Sequence, residues 1–70
     1  MLKNYIKEIR IEKELTQMEL AELVGTSKNT IGNIERGKYT PRIDLAIKVC
    51  NALGTSVENV FCLTEKENLP

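Results

Sequence analysis

Apolar residues recur at helical spacing in five stretches of the chain, and the breaks between them fall at residues that cap or end helices. In NYIKEIRIEKE, Ile6 and Ile9 share a face while Lys3, Lys7, Glu8 and Glu12 surround it, which predicts an amphipathic helix of about three turns. Leu15 follows, and TQME opens a second helix. There Thr16 supplies a capping oxygen, and Glu19 can reach back to the N–H of the cap. Leu20, Ala21, Leu23 and Val24 are expected to form its buried side, ending at Gly25, which can take positive φ at little cost. Only Thr26 and Ser27 remain before a third helix, with Ser27 as its N-cap and Gly37 as its terminator.

After a turn at Tyr39, Thr40 and Pro41, the segment RIDLAIKVCNALG is apolar around nearly its whole circumference. Asp44, Lys48 and Asn51 make one narrow polar stripe, so this fourth helix is expected at the centre of the domain. Gly54 ends it. Thr55 or Ser56 caps a short fifth helix through Val57 and Val60, and Phe61 closes the core. The tail LTEKENLP is polar except for Leu63 and Leu69 and is expected to fray. The pattern therefore predicts one all-α domain over residues 1–70, with five helices, a core over about 4–62 and a short polar tail over 63–70.

Composition narrows the function. Seventy residues, 41% of them apolar, suit a single small core. Ten basic residues balance ten acidic ones, so any case for a nucleic-acid partner must come from local placement. The segment MLKNYIKEIR lacks the apolar run of a signal peptide and no stretch approaches a membrane span, so a cytoplasmic location with no membrane partner is expected. Cys50 and Cys62 are the two cysteines and histidine is absent, which leaves too few ligands for a zinc site and no ordinary acid-base machinery. No metal, no cofactor and no enzyme activity are expected. In a reducing compartment the two thiols read as small core hydrophobes rather than a bridge.

Two helices joined by three residues at a glycine make the unit that presents a helix to the DNA major groove. At about 100° per residue, Ile31 and Ile34 lie about 60° apart, while Lys28, Asn29, Gly32, Asn33 and Arg36 fall within an arc of about 140° on the opposite side. Ile31 and Ile34 would pin the third helix to the second. The opposite arc would carry side chains able to donate and accept toward bases and phosphates.

The stretch LTQMELAELVGTSKNTIGNIERGKYTP resembles the phage-repressor and Cro type of helix-turn-helix, the Xre type, through LTQ, ELA, the turn glycine, TI, IERGK and the following proline. The resemblance covers about residues 4–62. It implies a five-helix lambda-repressor-like DNA-binding domain acting as a homodimer on a two-fold-symmetric operator, and in most of the family as a repressor. It also implies an ion pair between Arg10 and Glu35 that ties the first helix to the third. The chain departs from the family pattern at Gly32, where Ser, Ala or a polar residue is common, at Glu14, where glycine is frequent, and at Arg42, where Ser often begins the fourth helix.

Together these readings place base contacts at Lys28, Asn29 and Asn33, with Asn suited to adenine and Lys to guanine. Backbone phosphate contacts are expected at Gln17, Ser27, Thr30, Arg36, Lys38 and Arg42. Phe61, Cys62 and Leu63 are expected at a dimer interface, with residues 61–64 as an extended alternative to a frayed tail. The expected partner is double-stranded DNA. A protein-interaction module on the same scaffold, an antitoxin or adaptor docking a partner protein, stays open as the alternative.

Overall fold

The structure, a computed structural model, describes residues 2–63; the tail expected to fray, Thr64 included, lies outside the described residues apart from Leu63. Five helices follow the capping signals: α1 (Ile6–Glu12), α2 (Gln17–Val24), α3 (Lys28–Glu35), α4 (Ile43–Leu53) and α5 (Val57–Val60). Two strands, β1 (Leu2–Asn4) and β2 (Phe61–Leu63), pair antiparallel with Leu2 opposite Leu63, Lys3 opposite Cys62 and Asn4 opposite Phe61. The all-α expectation is thus corrected to a mostly helical domain with a small two-stranded ribbon. The extended segment at 61–63 exists, and its partner is the beginning of the same chain.

The first helix is shorter than its periodicity suggested, because residues 2–5 use their hydrogen-bonding groups elsewhere. Tyr5 N–H donates to the Val60 carbonyl at 2.8 Å, and Asn4 Oδ1 accepts from Ile6 N–H at 3.2 Å, so the chain turns into α1 only at Ile6. The other end of α1 closes with Leu15 N–H on Arg10 O and Glu14 N–H on Ile11 O, which holds Glu14 at φ 58°. Thr16 and Glu19 form the reciprocal box that opens α2: Glu19 N–H donates to Thr16 Oγ1 at 3.0 Å and Thr16 N–H to Glu19 Oε1 at 2.8 Å. Gly25, at φ 75°, ends α2 and starts the three-residue turn.

Ile6, Leu20, Ile31, Ile34, Val49 and Leu53 are almost wholly buried at the centre of the core. Three expectations about burial are corrected. Leu23 is 63% exposed, because the inner arc of α2 is completed by Gln17, about 20° of rotation from Val24, and not by Leu23, about 100° away on the other side. The fourth helix is buried along one side only: Ala46, Val49, Cys50 and Leu53 face the core, while Ile43 is 71% exposed and Ile47 is exposed beside it. A domain this small has too few helices to surround α4. Val57 also faces outward, leaving Val60 and Phe61 to close the core. Cys50 is buried, Cys62 half-buried, and both thiols are free.

Candidate nucleic-acid interface

Helix α3 is held from three directions. Ile31 and Ile34 bury its inner side against α2. Ser27 caps its start, where Ser27 Oγ accepts from Thr30 N–H at 3.1 Å and also lies 2.9 Å from Thr30 Oγ1, so both hydroxyls sit at the mouth of the helix. Its far end closes at Gly37, φ 76°, with Lys38 N–H on Asn33 O at 2.9 Å.

Beneath that end lies a polar network whose centre is Glu35. Arg10 Nε donates to Glu35 Oε2 at 2.8 Å, and Gln17 Nε2 donates to Glu35 Oε1 at 2.8 Å. Arg10 Nη1 also donates to Leu15 O at 2.8 Å. The Arg10 and Glu35 side chains are only 10% and 4% exposed, and both carboxylate oxygens have donors, so the buried charge is paired and hydrogen-bonded. One carboxylate thereby joins α1, the start of α2 and the end of α3. No buried side-chain nitrogen or oxygen among the described residues lacks a partner.

The residues singled out by sequence fall into distinct environments. Lys28 and Asn29 are exposed at the first turn of α3, and Lys38 and Arg42 are exposed on the loop that follows it. Arg42 also lies 3.9 Å from Asp44 Oδ1, a surface pairing of small energetic weight. Asn33 is half-buried, and its Oδ1 accepts from Arg36 Nη2 at 2.6 Å. Gln17 is half-buried, with its amide turned inward onto Glu35. Gly32, placed by helical geometry on the outward arc, is buried, because the Arg36 and Gln17 side chains lie over it. Phe61 packs into the core of its own chain, Cys62 is half-buried and Leu63 is 48% exposed.

Sequence reasoning passed over Asn4. Its Nδ2 donates to Ile34 O at 2.8 Å while its Oδ1 accepts from Ile6 N–H, so the last residue of β1 both turns the chain into α1 and fastens the ribbon to the end of α3. An asparagine two residues ahead of an apolar helix face is a turn signal, masked here by the helical periodicity that continues through it.

Burial, reinforced by Glu58, pushes the Cys50 thiol up and keeps it protonated at neutral pH. Among the described residues no cluster of metal-ligating side chains occurs, and no helix is long and apolar enough to cross a membrane.

A capped, pinned helix set across a tight glycine turn, with amide and cationic side chains outward, defines the helix-turn-helix class of DNA-binding domain. The chain matches the Helix-turn-helix family HTH_3 over residues 6–59 and belongs to this Xre-like family of DNA-binding transcriptional regulators. It is 40% identical over 65 residues to the uncharacterized HTH-type transcriptional regulator YgzD of Bacillus subtilis, covering 93% of this chain and 98% of that one. It is also 40% identical over 55 residues to the immunity repressor protein of Bacillus phage phi105, covering 79% of this chain and 38% of the repressor. Among solved structures, the Bacillus subtilis biofilm regulator SinR in complex with DNA superimposes with a TM-score of 0.71 at 39% identity, covering 76% of this chain and 86% of the chain in that structure.

Proposed function

We propose that the protein is a sequence-specific transcriptional repressor that inserts α3 into the major groove of a two-fold-symmetric operator as a homodimer. The observation that carries this reading is the division of α3 into two sides. Ile31 and Ile34 are buried against α2, while Lys28, Asn29 and Asn33 stand together on the outward side of a helix fixed by Ser27 and Glu35. Exposed Lys28 suits the guanine acceptors O6 and N7, and exposed Asn29 suits adenine N6 and N7. Ser27, Thr30, Lys38 and Arg42 flank the helix where phosphates would pass. Gln17 stands at the first position of α2, where backbone N–H groups point out of the helix and favour an anion. With one amide hydrogen committed to Glu35, Gln17 presents a fixed rather than a free side chain.

The test combines selection of bound sites from a random DNA pool with salt titration. Asn29→Ala costs about 1–3 kcal/mol on the selected site and leaves random DNA nearly unaffected. Lys38→Ala weakens all sequences and shrinks the slope of log K against log salt by about 0.9, the value for one phosphate. If Asn29→Ala weakens both DNAs equally, direct readout by α3 is wrong. If the wild type shows no salt-dependent binding to DNA, the interaction-module reading takes its place.

A further inference from the structure

We infer that Arg36 is a positioning residue that sets the base preference of Asn33, and that Gly32 is the seat on which it does so; the inference rests on α3 being the reader helix. Gly32 occupies a helix interior, where glycine costs about 1 kcal/mol relative to alanine. Its conformational freedom is unused, since the glycines at positive φ are Gly25, Gly37 and Gly54. What the position uses is the missing side chain. A Cβ on Gly32 would stand 3.2 Å from Arg36 Nη1, 3.8 Å from Arg36 Cζ and 3.6 Å from Gln17 Nε2. The guanidinium therefore rests against the bare backbone, beside an amide that is itself anchored through Glu35 to Arg10.

From that seat Arg36 Nη2 donates to Asn33 Oδ1 at 2.6 Å, a short charge-assisted bond. Arginine has no acceptor, so the Asn33 atom facing it is the carbonyl oxygen and the Asn33 NH₂ is left to face the groove. An asparagine with both ends free recognises adenine by accepting from N6 and donating to N7. Here a cation takes one of the two Oδ1 lone pairs, which makes the oxygen a poorer second acceptor and the NH₂ a better donor, so the pair sets N–H donors side by side. Guanine, with acceptors at both N7 and O6, matches such a pair, whereas adenine would set its N6 donor against the guanidinium. The Asn33–Arg36 pair reads guanine, where Asn33 alone would read adenine.

The experiment is selection from a random duplex pool with the full chain as wild type, Asn33→Ala, Arg36→Met and Gly32→Ala. Asn33→Ala identifies the base pair concerned by loss of preference there. The wild type is expected to favour guanine over adenine at that pair by about tenfold, within the range for one specific contact. Arg36→Met, at an exposed position, is expected to reverse the preference to adenine. Gly32→Ala presses Arg36 Nη1 outward by a few tenths of an ångström and is expected to weaken the guanine preference while its melting temperature holds or rises. Adenine in the wild-type motif, or guanine undiminished in Arg36→Met, overturns the inference and leaves α3 a reader. A wild type that enriches no sequence overturns both.

Discussion

Glu14 is the non-glycine residue that the described chain holds at positive φ, and the hydrogen bonds at the end of α1 keep it there. A side chain in the left-handed region costs about 1–2 kcal/mol, part of which glycine returns as unfolded-state entropy. Glu14→Gly should therefore stabilise the domain by about 0.5–1 kcal/mol, raising the melting temperature by several degrees in a chain of this size. Glu14→Ala keeps the strain and serves as the control. An equal rise in both variants would trace the gain to the lost charge. The Arg10–Glu35 pair acts in the opposite sense. Removing either partner leaves a charge buried without its counter-ion, at about 3 kcal/mol, a large share of the stability of a 70-residue domain. Denaturant unfolding of both single variants and the double should show the double losing less than the sum. Strict additivity would mean that the pair contributes no coupling.

Elements were legible in the sequence wherever their ends are fixed by neighbours a few residues away. The Thr16–Glu19 box, the Ser27 cap and the glycines at 25 and 37 are all such local devices, and the helices they bound stand where the spacing placed them. The ribbon was not legible, because three residues at 2–4 carry no strand period and their partners lie some sixty positions away. Nor was the covering of Gly32, which depends on Arg36 folding back over it and on Gln17 from a different helix. The network around Glu35 was half legible: the family resemblance implies Arg10, whereas nothing in the local pattern turns the Gln17 amide inward onto Glu35. Helix α4 adds a further case. Arg42 takes the extended N-cap conformation but makes no side-chain cap bond, unlike Thr16 and Ser27. Arg42→Ser should offer a capping oxygen to Leu45 N–H, which now donates to Asp44 Oδ1 at 2.9 Å, and so stabilise the domain by about 0.5–1 kcal/mol. If Arg42 also meets a phosphate, the same variant binds all DNA sequences more weakly, with a salt slope smaller by about 0.9. Thermal melts and salt titration of one variant read both effects. A melting temperature that does not rise would show that the cap position gains nothing from a hydroxyl.

On the scale of the whole molecule, the proposed two-fold operator would have its second half-site about 34 Å from the one that α3 fills. The apolar side chains turned outward near the end of the described chain, Val57 and Leu63, suit the contact between two copies, whereas Phe61 is taken up by its own core. Leu63→Asp should convert a dimer to monomers in sedimentation at micromolar concentration and weaken operator binding, with α3 itself unchanged. A monomeric wild type, or a variant as dimeric as the wild type, removes Leu63 from the interface. The ribbon has a mechanical consequence as well. Because β1 and β2 run antiparallel with Leu2 opposite Leu63, a pull applied through those two residues loads the pairs one after another from the open end, as in a zipper. Three pairs peeled in sequence resist far less than three sheared together. Tension along the chain would free the ribbon first, and with it the Asn4 fastening on the end of α3, before any helix yields.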